Sequence, residues 1–203
     1  MAREDISSPH DDGLVLPEVG AWAEKKHRLV SLYADLFSSA MKGKWGKRVY
    51  LELYAGAGYS RIRGSSRLIL GSPLRALELK NMFDKYVFCE ENPTNLDALK
   101  IRAKRHAPSA EIAYVLGNCN TNFSDVLSQI PTGSRNSTVL SLCFADPFDI
   151  SLKFETLKKL SQRYIDFLVL LALYMDANRN HERYLREDAV RVDEFLGSTQ
   201  WRE

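Results

Sequence analysis

Five short apolar runs punctuate this chain at nearly regular intervals: 49–54, YVFCE at 86–90, EIAYVL at 111–116, TVLSLCFA at 138–145 and IDFLVLLAL at 165–173. Helix-compatible stretches separate them, at about 73–82, 94–105, 121–129 and 153–162. Strands too uniformly apolar to face water on one side, alternating with helices, specify a parallel sheet covered on both faces. The expected fold class is therefore α/β, a three-layer Rossmann-like sandwich with a mostly parallel sheet. Two helix starts are marked locally, by Ser72-Pro73 and by Asn92-Pro93-Thr94, each an N-cap residue followed by a proline at the first helical position. At 203 residues and 45% apolar content the chain has material for one substantial core.

Upstream of the alternation, residues 1–20 are polar and broken by Pro9, Gly13, Pro17 and Gly20, which reads as a flexible arm. Residues 21–45 form an N-terminal helical extension, with Trp22, Leu29, Val30, Tyr33, Leu36, Phe37, Ala40 and Met41 at helical spacing. Residues 46–203 make the α/β domain. A charged helix is expected from about Arg183 to Phe195. A methyltransferase-type sheet would carry two more strands beyond it, so the domain is either truncated at its C-terminal end or a shortened variant.

Bulk charge excludes little: +2 at neutral pH with a pI near 8.4 announces neither nucleic acid nor an anionic membrane. Cys89, Cys119 and Cys143 are widely spaced within or beside apolar segments, as reduced buried thiols are, and no CxxC pair occurs. There is no signal-peptide pattern at the N-terminus, and FLVLLALYM at 167–175 is too short to span a bilayer. These features point to a cytoplasmic protein without a membrane partner. No acidic or histidine spacing suggests a metal site.

In open parallel sheets ligands bind at the carboxyl ends of the strands. The residues there are Glu52, Tyr54, Ala55, Gly56 and Gly58 after the first run, Glu90 and Glu91 after the second, Gly117 and Asn118 after the third, and Asp146, Pro147 and Phe148 after the fourth. Closely spaced glycines let a ligand approach the backbone, and an acid ending the next strand can accept both hydroxyls of a ribose; together they make an adenosine cradle. Glycine pairs also occur in ordinary strand-to-helix turns. A dinucleotide fingerprint would need a small residue where Arg61 stands, and no Gly-Lys-Ser/Thr triplet of a P-loop is present.

The segment LELYAGAG resembles the first motif of class I S-adenosylmethionine (SAM) dependent methyltransferases. The ordered set WAEKKHRLVSLYADLFSSAMKGKW, VYLELYAGAGYSRIR, LGSPLRALEL, YVFCEENPTNLDAL, GNCN and FADPF, with the tail FLGSTQWRE, resembles the three-Cys-motif partner proteins, a bacterial family of methyltransferase fold. The resemblance implies SAM as cofactor, with Glu52 and the turn Tyr54–Gly58 holding its methionine portion, Glu90 its ribose and Asn118 its adenine edge. Asn118 stands where an aspartate is commoner. Asp146-Pro147-Phe148 resembles the Asp-Pro-Pro-aromatic signature of amino-group methyltransferases, one proline short; it implies that Asp146 orients or deprotonates the acceptor while Phe148 stacks on a planar base. Alternatively, proline merely ends the strand and Phe148 lies in the core.

His27 reads as a surface histidine that could reach a substrate. Lys42, Lys44, Lys47, Arg48, Arg61, Arg63 and Arg67 suggest a positive rim suited to a phosphate-bearing partner such as nucleic acid, or simply a solvated surface. The expected function is a SAM-dependent methyltransferase acting on a nucleic-acid base or other amino group. The alternatives are a non-catalytic partner of a three-Cys-motif protein and a nucleic-acid-processing protein.

Overall fold

The computed structural model describes residues 9–135, 137–171, 182, 186 and 190–202. In chain order the elements are β1 (Glu18–Val19), α1 (Trp22–Met41), β2 (Lys47–Glu52), β3 (Tyr59–Ile62), β4 (Leu68–Leu70), α2 (Ser72–Leu77), β5 (Lys85–Glu90), α3 (Pro93–His106), β6 (Ile112–Leu116), α4 (Phe123–Gln129), β7 (Val139–Ala145), α5 (Phe154–Leu160), β8 (Ile165–Val169) and α6 (Arg191–Leu196). The apolar runs become a five-stranded sheet in the order β6-β5-β2-β7-β8, parallel throughout. The chain runs outward from β2 through β5 to β6, then returns to lay β7 and β8 on the other side. That reversal puts the crevice at the carboxyl ends of β2 and β7.

Successive side chains along a strand face opposite ways, and both faces are dry. Tyr50, Phe88, Leu142 and Phe144 meet Val30, Ala34 and Phe37 of α1, Leu74 and Leu77 of α2, and Leu99 and Ala103 of α3. Val49, Leu51, Val87, Cys89 and Cys143 meet Val126 of α4 and Leu160 of α5. The three layers are thus α1–α3, sheet, and α4–α5. All three cysteines are free and buried. Among the described residues no helix is long and apolar enough to cross a membrane.

Helix α1 covers the sheet with Val30 and Phe37 of the expected apolar set and otherwise with residues outside it. Ala23, His27, Val30, Ala34, Phe37 and Ser38 are its buried residues, while Trp22, Leu29, Tyr33 and Leu36 remain exposed. The smaller set lets the helix come close to the sheet; the bulkier set forms a second, outward apolar stripe. Asn92 caps α3, accepting from the Thr94 N–H at 2.9 Å. Ser72 does not cap α2: Gly71 holds that position, and the Ser72 hydroxyl turns inward to Glu52.

Between the glycine turn and α2, where no strand is expected from the sequence, β3 and β4 form an antiparallel hairpin and β1 joins it parallel to β3. The stretch read as a flexible arm is therefore fastened from its described beginning onward. The N–H groups of Arg61 and Arg63 donate to Pro17 O and Val19 O, both at 2.9 Å. Asp12 grips Arg102 of α3, accepting from Nε at 3.0 Å and from Nη2 at 2.6 Å. The physical reason is the buried guanidinium, which requires a carboxylate, and Asp12 of this stretch supplies it. Of the expected C-terminal helix, Arg191–Leu196 is described as helical; residues 183–185 and 187–189 lie outside the described residues.

Candidate functional site

A cavity of about 650 Å³ opens at the carboxyl ends of β2, β5, β6 and β7. Its size lies within the ~300–1,000 Å³ of ordinary small-molecule sites. Tyr54, Ala55, Gly56, Gly58, Glu90, Asn118, Asp146 and Phe148 all line it. Pro147 instead faces a neighbouring groove. Glu52 lines neither; its side chain is fully buried beneath Ser72.

The two glycines serve different needs. Gly56 has φ +66°, and a Cβ there would meet nothing within 4 Å. The backbone is thus bare toward open space, the geometry a ligand needs to lie against it. Gly58, at φ +84°, has Leu74 and Leu99 methyls 3.1 Å from where its Cβ would be, so its absence of side chain serves packing. Arg102 Nη1 donates to Ala57 O at 2.7 Å, which ties the turn to α3 and, through Asp12, to the N-terminal segment.

Glu90 braces the same turn. One carboxylate oxygen accepts from Gly56 N at 2.7 Å; the other accepts from Asn92 N at 2.9 Å and Asn95 Nδ2 at 3.3 Å. One lone pair remains for a ligand hydroxyl, on the oxygen that accepts from Gly56 N. The amide of Asn118 is partly engaged, donating to Glu91 Oε2 at 3.1 Å and accepting from Asn120 N at 2.9 Å. An open glycine turn, a strand-end acid and an amide thus surround one cavity.

Glu52 accepts from Ser72 Oγ at 2.5 Å and Tyr50 Oη at 3.1 Å. Burial pushes its carboxyl up to about 8, with those two hydrogen bonds opposing the shift. His27, expected on the surface, is buried and lines the cavity. Its Nδ1 lies 3.2 Å from Leu70 O. Burial, then the Lys26 charge, pushes its pKa down to about 4. The helix turns this residue inward because it falls on the Ala23, Val30, Ala34 face.

Asp146 forms an ion pair with Lys26 of α1, and the Lys26 ammonium sits 4.4 Å over the Trp22 ring. No sequence motif gives Lys26 a role. The available signal was its position, one turn after Trp22 and one before Val30, where a cation interrupts apolar residues on a helix. Phe148 is 87% exposed, which removes the reading that buries it in the core.

The expected positive rim does not assemble. Lys47 and Arg48 open β2, so Lys42, Lys44 and both of these lie toward the sheet's amino end, roughly 16 Å of strand from the cavity. The hairpin arginines each face an acid of the N-terminal segment or of α1: Arg61 with Asp11 at 3.1 Å, Arg63 with Glu18 at 3.9 Å, Arg67 with Glu24 of α1 at 2.7 Å. Arg48 is held by Asp84.

No protein-family model matches the sequence, and no curated protein matches it. Solved structures do. Protein LPL1258 from Legionella pneumophila, of the family DUF519, aligns with a TM-score of 0.52 and 15% identity over 74% of this chain and 67% of its own. A Staphylococcus aureus protein, provisionally assigned as a caffeoyl-CoA O-methyltransferase, aligns with a TM-score of 0.47 and 14% identity over 84% and 72%. The first similarity establishes the fold. The strand order and the crevice at β2 and β7 define the chain as a Rossmann-like α/β protein.

Proposed function

We propose that the protein is a SAM-dependent methyltransferase. The observation that carries this reading is Gly56: a left-handed residue bare toward open space in the cavity, its N–H held by the strand-end acid Glu90. The turn Tyr54–Gly58 would hold the methionine portion, Glu90 the ribose and Asn118 the adenine edge, in line with the resemblance of LELYAGAG to the first methyltransferase motif. When bound, SAM supplies a methyl group made electrophilic by its sulfonium. The protein's part is placement and exclusion of water: α1 lies over the sheet with Lys26 and His27 at the cavity wall, and the Lys26–Asp146 pair offers a charged anchor for the acceptor.

Isothermal titration with SAM and S-adenosylhomocysteine tests the reading. Saturable binding is expected for both, and Gly56→Val, whose side chain would enter the open space at a strained φ, should weaken it at least tenfold while far-UV circular dichroism stays unchanged. Absence of binding by the folded wild-type protein would overturn it. One observation favours a second reading, a non-catalytic partner of a three-Cys-motif protein: the Asp146 carboxylate is already occupied by Lys26.

A further inference from the structure

Beside the ligand cavity runs a second one, a groove of about 690 Å³ between α1 and the segment that leaves β8. Trp22, Leu29 and Tyr33 form its α1 wall, and Leu168, Leu170 and Leu171 face them. This is the outward stripe of α1 that the sheet does not use: Trp22 is 53% and Leu29 57% exposed. Lys26, Asp146 and Phe148 belong to the linings of both groove and cavity. The ion pair is therefore the point where the two spaces meet.

We propose that this groove is the acceptor site and that it takes a small aromatic molecule bearing an acidic hydroxyl, a phenol, whose oxygen is held by Lys26 and Asp146. The proposal rests on the methyltransferase reading for its purpose, though not for its chemistry. Trp22, Tyr33 and Phe148 offer ring faces and edges to a planar guest. The charged groups at the junction are one ammonium and one carboxylate. A phenol matches them with a single atom, donating its proton to the carboxylate and accepting from the ammonium, which also stabilises the phenolate. A nucleobase presents several polar atoms along its edges, and apolar walls would leave most of them without partners. The other charged residues at the rim, Arg63 and Glu18, face one another at 3.9 Å, and Arg61 and Arg67 likewise face acids. Nothing in that arrangement favours a phosphate backbone over a neutral ring.

Isothermal titration of the full chain without SAM, using 2-naphthol, its methyl ether and a short single-stranded oligonucleotide, decides the matter. Saturable naphthol binding is expected, with the ether at least tenfold weaker. Lys26→Met should abolish that preference, and Lys26→Arg, which keeps the charge, should retain it. Leu29→Glu, at an exposed position that does not test the fold, should weaken naphthol and ether alike. Equal affinity for naphthol and ether, no saturable binding, an unaltered preference in Lys26→Met, or tighter binding of the oligonucleotide would overturn the proposal. SAM binding without naphthol binding would remove the phenol site and leave the methyltransferase reading standing; naphthol binding without SAM binding would do the reverse.

Discussion

Replacing Asp12 with alanine is expected to destabilise the protein by about 3–5 kcal/mol, because it strands a buried guanidinium. Arg102 is completely buried on α3. Its Nε and Nη2 go to Asp12, its Nη1 goes to Val15 O at 3.0 Å and Ala57 O at 2.7 Å, and its Cζ lies 4.4 Å from the centroid of the Tyr59 ring. Arginine cannot escape by losing its proton. For a chain of this size the loss corresponds to a fall in Tm of roughly 10 °C, measurable by calorimetry. The double variant Asp12→Ala, Arg102→Met should be more stable than Asp12→Ala alone, since it removes the stranded charge together with its partner. Ala57 lies in the glycine turn, so on the proposed function the single variant should also bind SAM more weakly. A melting temperature within about 2 °C of wild type would show that the clamp contributes little, as surface pairs usually do.

The clamp also marks where sequence stops being informative. Strands buried on both faces are written as continuous apolar runs, so β2, β5, β6, β7 and β8 were legible, and Gly56, Glu90 and Asp146 followed as strand-end residues. The hairpin β3–β4 was not, because β3 is short and half polar and β4 has only three residues. Yet Tyr59–Ile62 and Leu68–Leu70 flank Arg63-Gly64-Ser65, and Gly64 takes φ +72°, so a turn signal was present. Helix α1 misled because it carries two apolar stripes, and the bulkier one dominates any reading of periodicity. The sheet selects the stripe with Ala23 and Ala34, since small residues allow close approach. Lys26 and Asp146 stand 120 positions apart. No local pattern links them; only the placement of α1 over the carboxyl end of β7 does. The same placement turns a catalytic carboxylate read in isolation into half of an ion pair at the junction of two cavities.

Stability should fall by about 2 kcal/mol between pH 6.5 and pH 8, and Glu52→Gln should abolish that fall. Glu52 titrates at about 8 in the folded protein against an ordinary value of 4.5. Between those values the native state holds a proton that the unfolded chain has lost, so stability declines with rising pH. His27 works in the opposite sense: folded near 4 and ordinarily 6.5, it is neutral in the native state while the unfolded chain is protonated, and stability rises with pH across that interval. From pH 4.5 to 6.5 the two slopes cancel. Of these two groups only Glu52 still titrates differently between pH 6.5 and 8, and about 1.36 kcal/mol per pH unit over that interval gives the expected loss. Urea unfolding at pH 5, 6.5 and 8 measures it; a decline in Glu52→Gln equal to that of wild type would assign it to other groups. Ser72, which donates to Glu52, also lines the cavity and so stands between the carboxyl group and any ligand there. On the proposed function, a ligand ammonium arriving over Ser72 favours the carboxylate form, so SAM binding at pH 7 should release a proton. The heat of binding would then vary with the ionisation enthalpy of the buffer in wild type and not in Glu52→Gln.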